Sequence, residues 1–316
     1  MTPRYVLLRL GGLVTTLLLS SMLIFSSLYL APGSPENVIF GNRTPSPAAR
    51  AAVRHQLHLD RPLPVRYWDW LTGVLHGDFG RSMVTDQSVS SRVGSGLGTT
   101  LSLVAVAAVL IAVLGLALGI AAALKPGFVD AAVNLFTSVS VAIPPFVAAS
   151  ILVSIFSIKL GWFPATGLPD GFWGHLRGLV MPAFSLALIS CGYLARVTRN
   201  ALREQLAKEH VQTAVGRGLP RRVVIRRHAL RGALPPIITV IGLQIAGLFA
   251  ATLIVETAFG IPGIGRLTVQ SVSQKDFPVV QAVALLLVAA FVVANTVTDL
   301  LQAAVDPRLR TAGRTA

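Results

Sequence analysis

Cysteine is nearly absent from this chain: Cys191 stands alone in 316 residues. That excludes an intrachain disulfide and leaves Cys191, inside an apolar run, as a small packing residue. Charge is scarce too. Asp, Glu, Lys and Arg make up 13% of the residues, about half of a soluble average, and acids number 13 against 27 bases. The catalytic signatures are missing as well. There is no G-x-x-x-x-G-K-[ST] phosphate loop, no G-x-S-x-G elbow, no H-E-x-x-H and no carboxylate pair placed for a cleft. Gly94 to Thr100 is glycine-rich but has no lysine. These absences argue against an enzyme working within the membrane.

What is abundant is apolar sequence. Hydrophobic residues make up 53% of the chain, and the mean hydropathy is +0.69. Charge-free windows cover 10–30, 99–124, 131–158, 179–195, 232–255 and 277–298. A bilayer core about 30 Å thick takes about 20 helical residues. Five windows reach that length. The fourth does so if Leu176, Arg177 and Gly178 extend it, with the arginine snorkelling. The expectation is an all-α polytopic membrane protein with six transmembrane helices. The first window, about 21 residues from Leu10 to Leu30, exceeds the h-region of a signal peptide (roughly 7–15 residues) and reads as an uncleaved anchor. With the N-terminus inside, sixteen basic residues fall on inner segments and eleven on outer ones, seven of the eleven in the long segment 32–98. The positive-inside rule therefore places both termini in the cytoplasm. The net charge of +14 follows from loop composition and does not point to nucleic acid.

Four segments result: a tail and first helix at 1–31, an extracytoplasmic segment at 32–98, a core of five helices at 99–305 and a tail at 306–316. The outer segment opens on Pro32, Gly33 and Pro35. It then predicts a short helix from Pro47 to Leu59 and an amphipathic stretch around Tyr67, Trp68, Trp70 and Leu71. His55 and His58 share a helical face, but no third ligand accompanies them, so a solvated face is expected and no metal. Gly115 and Gly119 form a G-x-x-x-G pair suited to close helix approach. Ser138, Ser140, Pro144 and Pro145 interrupt the third helix. They are candidates for a pathway lining, with ordinary packing as the alternative. Glu256 is a candidate outer gate; standing at a helix end, it is expected near water in an interfacial role. Asp299 calls for the same reading.

Ten of the Lys and Arg residues crowd into 196–231. This block predicts helix, break, helix. The first helix runs from about Thr198 to Gly216, Gly218 takes a left-handed position, and Pro220 sits in the first turn of the second helix. Such an elbow is a compact knob able to fit a partner's groove.

At these residues the chain resembles the permeases of ATP-binding-cassette (ABC) importers. Their cytoplasmic signature reads Glu-Ala-Ala, three residues, Gly, nine residues, Ile-x-Leu-Pro. Here Gln212, Thr213 and Ala214 take the first three places, Gly218 the glycine, and His228 to Arg231 the last four. Gln212, Thr213, His228 and Arg231 depart from that pattern in ways similar to the peptide/nickel branch. L-D-R-P-L-P-V-R-Y at Leu59 to Tyr67, G-D-F-G-R-S at Gly77 to Ser82 and K-L-G-W-F-P-A-T-G at Lys159 to Gly167 resemble the first, B-type, permease of dipeptide and oligopeptide importers. So do V-E-T-A-F-G-I-P-G-I-G-R-L at Val255 to Leu267 and D-P-R-L-R at Asp306 to Arg310.

The resemblance implies a type I importer transmembrane domain in the bacterial cytoplasmic membrane. It also implies a second homologous permease as heterodimer partner, two ABC ATPase subunits that carry ATP and Mg, and an extracytoplasmic binding protein. No cofactor is expected on this chain. Glu209, Gln212, Thr213, Ala214, Gly218, Leu219, His228 and Leu230 would form the ATPase-coupling loop. The surrounding arginines serve either acidic ATPase surface or topology alone. Cargo would be dipeptides or short oligopeptides, with nickel chelates or other small solutes as the alternative. An ATP-independent secondary transporter fits less well, because the helix interiors carry no charge and the helices show no similar halves. A membrane anchor recruiting a partner through the basic loop would leave the outer segment without a purpose.

Overall fold

A computed structural model describes residues 3–30, 46, 47, 51 and 60–305. Of the helix expected over 47–59, Pro47 and Ala51 are helical; His55, His58 and the D-P-R-L-R ending lie outside the described residues. The chain forms helices α1 (Pro3–Leu30), α2 (Leu63–Leu75), α3 (Val89–Leu124), α4 (Phe128–Ala142) and α5 (Pro145–Leu152), the last continuing as a π-helical turn over Val153–Lys159. Then come α6 (Phe172–Leu206), α7 (Glu209–Gly216) and α8 (Arg221–Val223), which passes through a π-helical turn, Val224–Ala229, into α9 (Leu230–Ala258). Helices α10 (Ile264–Ser273) and α11 (Phe277–Val305) complete it. Among the described residues the only β-pairing is an isolated bridge between Arg81 and Ser88.

Five helices are long and apolar enough to cross a membrane, or six if the bent pair α4–α5 counts as one span. That pair is where Pro144 and Pro145 interrupt the third helix. Ile143 and Pro144 are extended (ψ 114° and 148°), and the two halves meet at 105°. Consecutive prolines cause this: the residue before a proline is driven out of the helical region, and Pro145 then serves as the first residue of a new helix.

The core is built around α6, whose most apolar stretch is 72% buried, against 6% for α1. This explains how the shortest apolar window still makes a span: α6 faces protein more than lipid and, at 35 residues, is about 52 Å long. Arg177 does not simply snorkel but donates through Nε to the Trp162 carbonyl at 2.9 Å. Helix α3 lies tightly on α6. A Cβ on Gly115 would stand 2.8 Å from Leu194, and one on Gly119 would stand 2.6 Å from the Ala195 carbonyl oxygen and from Thr198, so the G-x-x-x-G pair is spent on this contact. Leu103, Ile111, Leu179, Leu194, Ile237 and Val255 fill the space between α3, α6 and α9.

Helix α1 packs on α11, where Arg9 forms an ion pair with Asp299. At its other end Phe25 meets the rings of Tyr67 and Trp70, both at 5.5 Å, and Ser21 shares a hydrogen bond with the Tyr67 hydroxyl at 2.8 Å. Tyr67 and Trp70 are thus held by protein, while Trp68 stays exposed.

Candidate functional site

The basic segment is organised by α7. Helix α6 ends at Leu206 rather than running on to Gly216, because Lys208 turns extended (ψ 145°) and starts α7 instead. The amide of Gln212 reaches back to the Leu206 carbonyl at 2.8 Å, so a residue of the signature caps the membrane helix. At the far end of α7, Gly218 N–H bonds the Val215 carbonyl at 2.9 Å and Leu219 N–H bonds the Ala214 carbonyl at 3.3 Å. Gly218 lies at φ 74°. This is a Schellman cap, which needs a left-handed residue at that place. Pro220 precedes α8 as its cap (φ −57°, ψ 138°), one place earlier than expected.

The knob has its own small core. Val211, Ala214 and Val224 are buried together, with Leu206 against them. Of the eight candidate coupling residues, Glu209, Gln212, Thr213, Gly218 and Leu219 are exposed, Ala214 is buried, and His228 and Leu230 are half-buried. The last two lie beyond α7, in and just after the π-helical turn.

The ends of the helices beside the knob are tied to one another by a cluster that the sequence did not single out. Asp130, in the first turn of α4, accepts from Arg199 Nε at 2.5 Å and Nη2 at 2.8 Å. Arg203 reaches the same carboxylate at 2.9 Å and also donates to the Ala122 carbonyl at 2.9 Å. Arg221 of α8 donates to the Leu124 carbonyl at 3.3 Å. Two arginines therefore satisfy carbonyls in the last turn of α3, where cations are favoured.

At the opposite end, Glu256 corrects the expectation of a residue near water: it has no exposed surface. Its carboxylate accepts from Thr100 Oγ1 at 2.6 Å and from Arg266 N–H at 3.0 Å. Thr100 in turn accepts from Ile264 N–H at 2.9 Å. Two of the free N–H groups in the first turn of α10 are thus satisfied by side chains from α3 and α9, and the carboxylate meets the positive end of the helix. A Cβ on Gly263 would run into that carboxylate. Asp276 plays a parallel part beside α11. Fully buried, it accepts from Ser82 Oγ at 2.5 Å, Met83 N–H at 3.1 Å and Arg92 Nη1 at 3.1 Å. It thereby pins the G-D-F-G-R-S turn to the last helix. In the same turn, the hydrogen bond and charge of Asp86 raise the pKa of the exposed Arg81 guanidinium.

The sequence profile described as binding-protein-dependent transport system inner membrane component matches residues 115–311. A companion profile for the N-terminal part of such membrane components matches residues 2–104. The chain belongs to this family. Among its relatives, the glutathione transport system permease protein GsiC of Salmonella choleraesuis is 38% identical over 97% of this chain and 98% of its own length. A protein of Sinorhizobium fredii named "Probable peptide ABC transporter permease protein y4tP" is 34% identical over 97% and 99%. The fold is similar to that of the MetNI methionine ABC transporter in an inward-facing conformation (TM-score 0.53, 20% identity, 68% of this chain and 96% of that one). It is similar too to an amino acid ABC transporter crystallised with histidines (TM-score 0.54, 18% identity, 68% and 94%). The molecule is a multi-pass ABC importer permease with the type I transmembrane architecture.

Within this permease the candidate pathway residues do not gather in one place. Ser138 is exposed and accepts from Arg196 Nη2 at 3.4 Å. Ser140 is buried, bonds its own helix at the Phe136 carbonyl and lies against Gly192 of α6, which is a packing role. Pro144 is exposed and Pro145 half-buried at the 105° bend. Glu256 belongs with Thr100 and α10. Asp130, Arg92 and Asp276 escaped the sequence reading because each sits in a short polar stretch between apolar runs, where a charge is ordinary. Their partners are 69 to 194 residues away.

Proposed function

We propose that this chain is the membrane-spanning permease subunit of a bacterial ATP-driven importer, carrying dipeptides or short oligopeptides across the cytoplasmic membrane by alternating access. It pairs with a second homologous permease. Two ABC ATPase subunits dock at α7 and supply ATP and Mg, and an extracytoplasmic binding protein delivers cargo at the end formed by α2, α10 and the segment between α2 and α3. Both termini and α7 face the cytoplasm. The observation that carries this reading is the α7 knob: a capped two-turn helix presenting Glu209, Gln212 and Thr213 outward and packed through Val211 and Ala214 on Val224 and Leu206, beside ends of α3, α4, α6 and α8 that Arg199, Arg203 and Arg221 hold together. A rigid lever of this kind is what a coupling free energy between nucleotide and pathway requires. The peptide cargo is supported by the names of the relatives, since glutathione is itself a tripeptide. A nickel chelate has no comparable support.

The test is a pull-down of the tagged chain in mild detergent, with the copurified proteins identified by mass spectrometry. An ABC ATPase and a second six-span permease are expected. A stable complex that transports in the absence of any ATPase would overturn the reading.

A further inference from the structure

We propose that Arg226, Arg227 and Arg231 form a binding site for the phosphate of an anionic membrane phospholipid. They line an open cleft of about 470 Å³ whose other walls are Leu230 and Leu234. All three guanidinium groups are exposed. Among the described residues no acid pairs with any of them, whereas Arg199 and Arg203 of the same basic segment are both committed to Asp130. The site sits at a backbone irregularity. Val224–Ala229 is π-helical; Arg226 and Arg227 lie within that turn, Arg231 lies just beyond it in the first turn of α9, and all three border the same cleft.

The cleft also lies at a defined depth. Arg231 is the last charge before the apolar window 232–255, and Leu230 and Leu234 open α9. Three cations thus ring a floor that passes straight into the hydrocarbon layer. That is the profile of a phosphate headgroup above an acyl chain. The groove beside α7, lined by Leu206, Val211, Gln212, Val215 and Leu219 among others, shares no residue with this cleft.

The test uses the full-length chain purified in its native complex and reconstituted with phosphatidylcholine and phosphatidylglycerol. A photoactivatable phosphatidylglycerol should label the stretch 224–234. Unlabelled phosphatidylglycerol should compete, and phosphatidylcholine should not. Replacing the three arginines together (Arg226→Gln, Arg227→Gln, Arg231→Gln) should reduce phosphatidylglycerol retained in native mass spectrometry by at least about tenfold, since each basic residue near an anionic surface is worth roughly a factor of five. Labelling displaced equally by inorganic phosphate would mean a free-anion site and would overturn the lipid assignment. So would absence of label at 224–234 in the wild-type complex, a measurement that holds even if the triple variant does not fold. Loss of a copurifying ATPase from the variant, with phosphatidylglycerol retention unchanged, would instead assign the arginines to protein contact.

Discussion

Single residues decide this structure where backbone and charge allow no substitute. Gly218 is one. Its φ of 74° is open to glycine, and a Cβ there would meet nothing within 4 Å. An alanine therefore pays only for the left-handed conformation, about 1–2 kcal/mol. A proline cannot adopt that φ and also deletes the N–H bonded to Val215. Gly218→Ala should keep most uptake, and Gly218→Pro should abolish ATP-driven uptake while membrane insertion, judged by the amount of protein in washed membranes, is unchanged. Full uptake by the proline variant would remove α7 from the coupling role. Glu256 is the other. In Glu256→Gln the amide can keep its oxygen on the Arg266 N–H, but its NH2 then faces the Thr100 hydroxyl. That hydroxyl loses its acceptor and the charge-assisted bonds to α10 weaken, a loss of about 1–3 kcal/mol. A lower midpoint of thermal unfolding for the solubilised complex is expected, and Gly263→Ala should lower it as well by intruding on the same carboxylate. A residue serving only as a water-facing gate would leave that midpoint unmoved.

At the scale of elements, what matters is how the helix ends beside α7 are joined to one another. The junction is Asp130. Through Arg199 and Arg203 it links α4 to α6, and Arg203 and Arg221 carry the link to the end of α3. Asp130→Asn keeps the shape but weakens both ion pairs. Changes along a coupling network modulate it by about two- to thirtyfold, so ATP-driven uptake should fall within that range while ATPase copurification is retained. If Asp130→Asn and Arg199→Gln act through one junction, the double variant should be no worse than the poorer single one. Additive losses would show two separate roles. This junction was hidden in the sequence although its parts were visible. The arginines stood out as a block, but their readings as topology signal or partner surface both overlooked the helix-end carbonyls of α3 and the lone Asp130. The break at Ala207–Lys208 was hidden for a related reason. Leu206 to Glu209 are good helix formers, and the chain leaves the helix there because the packing of Val211 and Ala214 against Val224 outweighs weak local propensity. By contrast, the bend at Pro144–Pro145 and the cap at Gly218 were legible because proline and glycine act locally; the angle of the bend was not, since neighbouring helices set it.

For the molecule as a whole, the helix ends that the charge placement assigns to one side lie together in the structure. Sixteen of the 27 basic residues were assigned to inner segments from the sequence. In the structure, Arg9 near the start of α1 pairs with Asp299 near the end of α11. Helix α3 ends beside Arg203 and Arg221, and Glu256 and Asp276 gather at the opposite pole. The number and order of the spans were legible because apolar runs of bilayer length have few other uses. The roles of the two buried acids were not, because each becomes distinctive only when α3 is folded against α9, α10 and α11. The orientation makes a direct prediction. Cys191 is buried in α6 and can be replaced by serine to give a background for single-cysteine labelling. In that background Arg217→Cys, on α7, should react with a membrane-impermeant maleimide only in inside-out vesicles, and Lys275→Cys, between α10 and α11, only from the outside of intact cells. Reversed labelling would place the α7 knob away from any source of ATP. In that case the clamp of arginines around α3, α4 and α6 would have no motor to obey, and the coupling role would fall with it, whereas the fold and the two buried acidic anchors would stand.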